Sequence, residues 1–148
     1  MELCWEDFKL KKKTFIIIAL VMILLTGCSG KNNGGNINNV QISDWKPSEI
    51  YSDEDIEAAY QTVKDYFGKE FGGCTLTKLY YPGDTYSDEF QEWAKQYDAD
   101  EAIIIVSSFD VNSSGGDGSL EPNTTYDDWN WILIRDHGGD WKHVEHGY

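Results

Sequence analysis

Oxygen-bearing side chains recur at regular spacing in the segment DVNSSGGDGSLE, residues 110–121. Alternating oxygen ligands, a glycine at a sharp bend and a closing carboxylate are what a twelve-residue calcium loop requires. The residues at positions 1, 3, 5 and 12 of such a loop are Asp110, Asn112, Ser114 and Glu121. Two features depart from the pattern: Asp117 replaces the usual aliphatic residue, and the flanking segments are predicted to be strands. Because an ordinary Ser/Gly/Asp turn explains the same composition, calcium is one hypothesis and a plain loop is the other.

Three histidines lie close to the C-terminus, and two of them form the sequence HVEH at residues 143–146. This spacing invites comparison with a zinc site. Side chains at positions i and i+3 of a regular strand point to opposite faces, so His143 and His146 reach one ion only if a bulge intervenes. The spacing therefore predicts hydrogen-bonded or solvent-exposed strand histidines, like His137, and no metal ligand among them.

Three further groupings of residues could carry chemistry, and each also has a simpler structural explanation. Cys74 could act as a nucleophile with a histidine, but the start of a strand is also a common place for a buried structural thiol. Asp127 and Asp128 could form a glycosidase pair, although neighbouring acids are frequent in so acidic a chain. Trp129 and Trp131 share one face of a strand and could stack on sugar rings, whereas core packing explains them equally well.

One long helix is predicted from residue 52 to about residue 70. Ser52 is a favourable N-cap residue, and Asp55 completes a capping box three positions later. Apolar residues then recur every three or four positions, which places on one face Ile56, Tyr60, Val63 and Phe67. Gly72 and Gly73 end the helix.

The remaining elements are predicted to be mainly strands. They cover residues 74–81, residues 102–109 and a hairpin of residues 129–136 with 140–146, and a short helix starts at Ser87. A type I′ turn centred on Gly138 and Gly139 sets the register of the hairpin. One face then carries Trp131, Leu133, Val144 and His146. The other face carries Ile132, Ile134, Trp141, His143 and Glu145.

The charge of the chain narrows the classes of partner. It has 26 Asp and Glu residues against 12 Lys and Arg residues, and its net charge is −14. A nucleic acid partner is excluded because binding to a phosphate backbone requires positive charge. The acid excess is explained by a soluble surface that resists association, or alternatively by binding of cations.

The N-terminal region has the layout of a secretory signal peptide. A lysine cluster that includes Lys11 to Lys13 precedes an apolar run, Phe15 to Leu25, of about eleven residues. A transmembrane helix needs about twenty, so cleavage is favoured over a permanent span. The acidic residues before the lysines do not fit a signal peptide, which suggests that translation starts near Leu10.

The residues Leu25, Thr26, Gly27 and Cys28 resemble the lipobox of bacterial lipoproteins. This resemblance implies that residues 1–27 are removed and that Cys28 carries the lipid that anchors the chain to the membrane. It further implies a location on the outer face of the cytoplasmic membrane, as in a Gram-positive bacterium. Residues 28–44 are rich in Asn and Gly and are predicted to be a flexible tether, followed by one globular domain over residues 45–148.

The order of elements predicts an α+β fold: an N-terminal helix and a short helix packed on one face of a four-stranded antiparallel sheet. This order resembles the cystatin-like and NTF2-like domains of small bacterial lipoproteins, in which a curved sheet cradles a helix. The resemblance implies a non-catalytic binding or interaction module whose ligand is a small molecule, a cell-wall component or a protein. A small hydrolase using the same cavity and a calcium-stabilised structural domain are the alternatives.

Overall fold

The computed structural model describes residues 34–43 and 47–148. The elements along the chain are β1 (Gln41–Ile42), α1 (Asp53–Glu70), β2 (Cys74–Tyr80), α2 (Asp84–Asp88), α3 (Gln91–Gln96), β3 (Glu101–Val111), β4 (Thr125–Arg135) and β5 (Lys142–Gly147). The predicted α+β class is confirmed. The predictions of a signal peptide, of a start near Leu10 and of lipid on Cys28 concern residues that lie outside the described part of the chain.

The sheet has five strands and is mixed, so the prediction of a four-stranded antiparallel sheet is wrong. Its order is β1-β2-β3-β4-β5, with β1 parallel to β2 and the other neighbours antiparallel. The additional strand comes from the segment that was predicted to be a tether. Its backbone bonds to β2 at both ends, from Asn36 N–H to the Cys74 carbonyl (2.8 Å) and from Ser43 N–H to the Leu79 carbonyl (3.1 Å).

The glycines before β1 allow the chain to pass close to α1. A Cβ atom added at Gly35 would lie 2.6 Å from the Phe67 carbonyl oxygen and closer still to the Phe67 ring. The Gly35 N–H also donates to that carbonyl, at 3.2 Å. Glycine is needed here because two backbone segments approach each other closely. From sequence alone, the Asn and Gly content of this segment predicts a flexible tether.

The close approach at Gly35 yields a stability prediction. Gly35→Ala should lower the free energy of unfolding by about 1–3 kcal/mol, because the added methyl group overlaps the last turns of α1. Gly68→Ala is the matched control: its Cβ would meet Ile37 at an ordinary 3.5 Å, and alanine favours a helix interior over glycine by up to about 1 kcal/mol. Urea unfolding of both variants measures the contrast, and equal destabilisation would contradict it.

Helix α1 forms where its capping and periodicity predicted. The Ser52 hydroxyl accepts a hydrogen bond from Asp55 N–H at 3.1 Å, and the Asp55 carboxylate accepts from Ser52 N–H at 3.0 Å. This is the predicted capping box. The predicted stripe is entirely inaccessible to solvent and consists of Ile56, Tyr60, Val63 and Phe67.

Helices cover both faces of the sheet, and not one face as predicted. Helix α1 packs on the face that carries Ile103, Ile105 and Leu133. The alternate strand residues, including Ile104 and Ile132, form two smaller clusters with α3 and its flanking residues. The continuous β-branched run of β3 is buried because both of its faces are covered. Ser87, predicted to cap the short helix, is instead a buried residue within α2.

A β-bulge in β5 changes which residues share a face. Ile132 pairs with Glu145 but Leu133 pairs with His143, so Val144 has no pairing partner in β4. The turn also lies one residue earlier than predicted: His137 and Gly138 have positive φ and Gly139 N–H bonds to the Asp136 carbonyl, which is a type I′ geometry. The predicted faces of the hairpin are therefore wrong at three positions. The residues that exchange faces are Trp141, His143 and Val144.

Candidate functional site

An open cleft of about 300 Å³ lies beside the C-terminal end of α1. Helix α1 and the turn after it supply one wall, the loop between β3 and β4 supplies a second, and β4 and β5 supply the floor. Its volume is at the lower end of the range for small-molecule sites. The lining residues that bear on recognition are Tyr66, Glu70, Phe71, Cys74, Asp117, Leu120, Trp129 and His146.

Aromatic side chains line part of the cleft and support it from behind. The His146 ring lies 5.3 Å from the Phe71 ring and 5.9 Å from the Trp129 ring, measured between centroids. Behind them Trp131 is fully buried, and its indole N–H donates to Ser107 Oγ at 2.8 Å. Trp129 and Trp131 share a face as predicted, but only Trp129 reaches the cleft. The pair therefore provides one half-buried ring that lines the cleft and one supporting core residue.

The charged groups of the cleft are acidic. Glu70 and Asp117 line it, and none of the described residues that line it is Lys or Arg. Burial, followed by the nearby carboxylates of Glu70 and Glu145, raises the pKa of the Tyr66 phenol above its ordinary value. The cleft therefore opposes the formation or entry of an additional negative charge.

His143 and His146 meet within this aromatic cluster. His146 Nδ1 lies 3.1 Å from His143 Nε2, and the His143 ring is 3.9 Å from the Tyr66 ring between centroids. Burial and the neighbouring His146 lower the pKa of His143 to about 4, and burial lowers the pKa of His146. The expectation that these two side chains point apart is wrong, because it assumed a regular strand without the bulge at Val144.

The two histidines make stability depend on pH. His143 has a lower pKa in the folded protein than its ordinary 6.5, so the unfolded chain binds more protons and stability falls as the pH drops from about 6.5 towards 4. Between pH 7 and pH 5 we expect a loss of about 1 kcal/mol, reduced by the partial exposure of the ring. Urea unfolding at both pH values should show this loss in the wild type and in His137→Gln, and a smaller loss in a variant with His143→Gln and His146→Gln. An equal loss in all three would contradict the assignment.

Cys74 is positioned as a structural residue. It is a buried free thiol at the start of β2, and its Sγ lies 4.0 Å from the Gly72 carbonyl oxygen. Burial, with a smaller contribution from Asp117, raises the pKa of the thiol. A raised pKa disfavours the thiolate that a nucleophile requires. Cys74 and His146 line the same cleft, yet the hydrogen bond of His146 is made to His143.

Three of the four candidate calcium ligands, Asp110, Asn112 and Ser114, make hydrogen bonds through their side chains. Asn112 Oδ1 accepts from Ser114 N–H at 2.8 Å and from Ser114 Oγ at 2.6 Å, which is an Asx turn. Asp110 Oδ1 accepts from Thr125 Oγ1 at 2.6 Å, and Glu121 N–H donates to Tyr126 Oη at 3.0 Å. Within residues 34–43 and 47–148, no group of three or more His, Cys, Asp or Glu side chains is placed to hold a metal ion.

The pair proposed for glycoside chemistry lies away from the cleft. Asp127 and Asp128 are exposed at a bulge of β4, where Asp128 has a φ of 55°. Asp128 Oδ1 accepts a hydrogen bond from Tyr80 Oη at 2.8 Å. These contacts give Asp128 a structural role at the bulge.

Sequence reasoning missed the residues that α1 contributes to the cleft. Tyr66 and Glu70 lie four positions apart, on a helix face beside the buried stripe, and Phe71 follows the last helical residue. The sequence signal for these residues was Tyr66, an aromatic residue of the helix that lies outside the buried stripe. Only the position of the loop around Asp117 shows that Tyr66 lines a cleft.

No helix in the described part of the chain is long and apolar enough to cross a bilayer. The comparisons with known proteins place the chain in no family: no family model matches it, and neither a curated protein nor a solved structure does so.

Proposed function

We propose that this protein is a non-catalytic, lipid-anchored binding module that holds a neutral or cationic small molecule in the cleft between α1 and the sheet. The observation that carries the proposal is an open cleft with aromatic side chains in its walls, whose charged lining residues are acidic. Concave sites with aromatic walls and a few convergent polar groups are the usual form of a small-molecule site.

The aromatic walls favour a ligand with a flat or apolar body. Tyr66, Phe71 and Trp129 present three rings, and Leu120 adds aliphatic surface. Aromatic side chains contribute large contact areas at low cost in conformational entropy. The ligand therefore has a ring or an alkyl body that the three aromatic side chains can contact.

The polar groups set the preferred charge of the ligand. Glu70 and Asp117 attract a cation, and aromatic faces stabilise it further by about 0.5–2 kcal/mol. An anionic ligand would meet these carboxylates, and no Lys or Arg among the described lining residues would compensate for them. The indole N–H of Trp129 is buried and has no acceptor among the described residues. A buried donor without an acceptor is unfavourable. If the cleft opens slightly, an oxygen atom of the ligand can accept this hydrogen bond.

Three compounds with the same ring and different head groups test this preference: 2-phenylethylammonium, 2-phenylethanol and phenylacetate. We expect the ammonium compound to bind roughly 3- to 30-fold more tightly than phenylacetate, with the alcohol between them. Ligand-observed NMR measures the three dissociation constants. Trp129→Ala should weaken the binding of the ammonium compound and of the alcohol.

Paired variants separate the cleft from the general acidity of the chain. Glu70→Gln with Asp117→Asn should reduce the difference between the ammonium compound and phenylacetate. Glu57→Gln with Asp53→Asn removes the same charge from exposed positions of α1 and should leave the difference unchanged. An equal response to both pairs, or tighter binding of phenylacetate by the wild type, would overturn the proposed preference.

The anchoring part of the proposal depends on the sequence Leu25-Thr26-Gly27-Cys28. Lipid on Cys28 would hold the cleft close to the outer face of the cytoplasmic membrane. Metabolic labelling with an alkyne fatty acid should label the wild-type chain in a bacterial host and should not label Cys28→Ser. Labelling that persists in Cys28→Ser would exclude this cysteine as the lipid site.

The cystatin-like or NTF2-like fold, a hydrolase activity and calcium binding stay predictions. A long helix packed on one face of an antiparallel β2-β3-β4-β5 unit is what the cystatin-like and NTF2-like resemblance implies. The hydrolase alternative requires a nucleophile and a base in contact, and its best candidates are Cys74 and His146, which line the same cleft. The calcium alternative depends on the loop from Asp110 to Glu121.

A further inference from the structure

The bulge at Val144 brings two imidazole nitrogens together on the helix-facing side of the edge strand β5. His146 Nδ1 and His143 Nε2 are 3.1 Å apart. Two nitrogens that bind one Zn²⁺ tetrahedrally at 2.0–2.1 Å lie about 3.3 Å from each other. A single metal ion can therefore replace the hydrogen bond between these rings with only a small movement.

We infer that His143 and His146 form a binding site for a divalent late transition-metal ion, of which Zn²⁺ and Cu²⁺ are the natural candidates. Imidazole is a preferred ligand of both ions, whereas Ca²⁺ and Mg²⁺ prefer oxygen. The inference goes beyond the proposed function, because it needs no organic ligand in the cleft.

The two rings are held in place before a metal binds. Tyr66 packs against His143 at 3.9 Å, and His146 packs against Trp131 at 5.2 Å, between ring centroids. Packing against these aromatic rings restricts the orientation of both imidazoles.

Metal binding requires one of the two rings to change its tautomer, because the two facing nitrogens now form a hydrogen bond. In the present hydrogen bond one ring donates its N–H to the other. When a metal binds, that ring changes tautomer so that both facing nitrogens offer a lone pair, and no net proton is released.

The protein supplies two ligands and leaves the other coordination positions open. His146 lines the cleft, so water or a bound molecule can occupy these positions from that side. His137 is not part of this site: its side chain is 90% exposed, and its Nδ1 lies 2.7 Å from Asp100 Oδ2. It therefore serves as a matched control for a histidine outside the site.

The test uses the full-length chain purified in detergent without a histidine tag. In ¹⁵N-histidine NMR, Zn²⁺ should shift His146 Nδ1 and His143 Nε2 together and leave the His137 nitrogens unchanged. This readout needs no variant and so does not depend on a mutant folding. Zn²⁺ that shifts neither ring, or only one of them, would overturn the inference.

Variants then identify the ligands. His143→Gln and His146→Gln should each lower the Zn²⁺ affinity by roughly tenfold or more, and His137→Gln and Cys74→Ser should leave it unchanged. Electron paramagnetic resonance of the Cu²⁺ complex should show two coordinated imidazole nitrogens in the wild type and one in each single variant. Undiminished affinity in the double variant would assign the metal to another part of the chain and overturn the site.

Discussion

Replacing Trp131 by alanine is expected to lower the free energy of unfolding by about 3–5 kcal/mol. The side chain is 0% exposed and lies between the α1 aromatic residues and the two histidines of β5. Its removal leaves a cavity behind the cleft and also leaves the Ser107 hydroxyl without its indole donor. Since domains of this size are stable by roughly 5–15 kcal/mol, the loss is a large fraction of the total.

Two controls separate packing from polar pairing at Trp131. Ser107→Ala removes the acceptor of the indole N–H and should cost about 1–3 kcal/mol, because the donor stays buried. Ile50→Ala, at a side chain that is 52% exposed, should change stability by no more than about 0.5 kcal/mol. Urea unfolding monitored by circular dichroism measures all three. A loss of less than about 1.5 kcal/mol for Trp131→Ala would contradict this prediction and would show that the neighbouring side chains rearrange to fill the cavity.

Replacing Arg135 by alanine is the second large effect that we expect, at about 2–3 kcal/mol. The guanidinium is bonded to the Asp55 carboxylate and contacts Glu101, with Nη2 to Oε2 at 3.1 Å, and it lies 4.1 Å from the Trp141 ring centroid. It therefore connects the start of α1 to β3 and to the final hairpin. The estimate is below that for a fully buried ion pair because the Asp55 and Glu101 side chains are 27% and 30% exposed.

The ion pair also predicts a pH dependence. Hydrogen bonding from Arg135 is the largest cause that lowers the pKa of Asp55, from 3.8 to about 2. The carboxylate therefore contributes stability above pH 3.8 that is lost as the pH falls towards 2. NMR titration should show the Asp55 pKa rising in Arg135→Ala and staying low in a control variant, Lys142→Ala. A double-mutant cycle with Asp55→Asn measures the coupling directly, and additive effects would show that the pair contributes no stability of its own.

Local signals in the sequence were sufficient to predict α1 and β3. The capping box at Ser52 and the apolar stripe of α1 are properties of neighbouring residues, and the β-branched run of β3 identifies a strand covered on both faces. The hairpin of β4 and β5 was also predictable from its glycines. Each of these signals is read within one element and does not depend on distant contacts.

Tertiary contacts determined what the sequence did not show. β1 has no apolar periodicity and is held by backbone hydrogen bonds to β2, and Gly35 is required by its closeness to Phe67. The bulge at Val144 shifts the register of β5 against β4 by one residue, and no residue type in this segment announces it. A single-residue shift reverses the face of every side chain beyond it until the register is restored. For that reason the pairing of His143 with His146, and the shape of the cleft, could not be read from spacing alone.

The most direct test of the proposed cleft is an indole ¹H–¹⁵N NMR titration of the protein with 2-phenylethylammonium. Trp129 lines the cleft, whereas Trp93 packs on the opposite face of the sheet. We predict a saturable shift of the Trp129 indole signal with no change at Trp93. A ligand that binds while the Trp129 signal stays constant, or that shifts Trp93 instead, would contradict the cleft as the binding site.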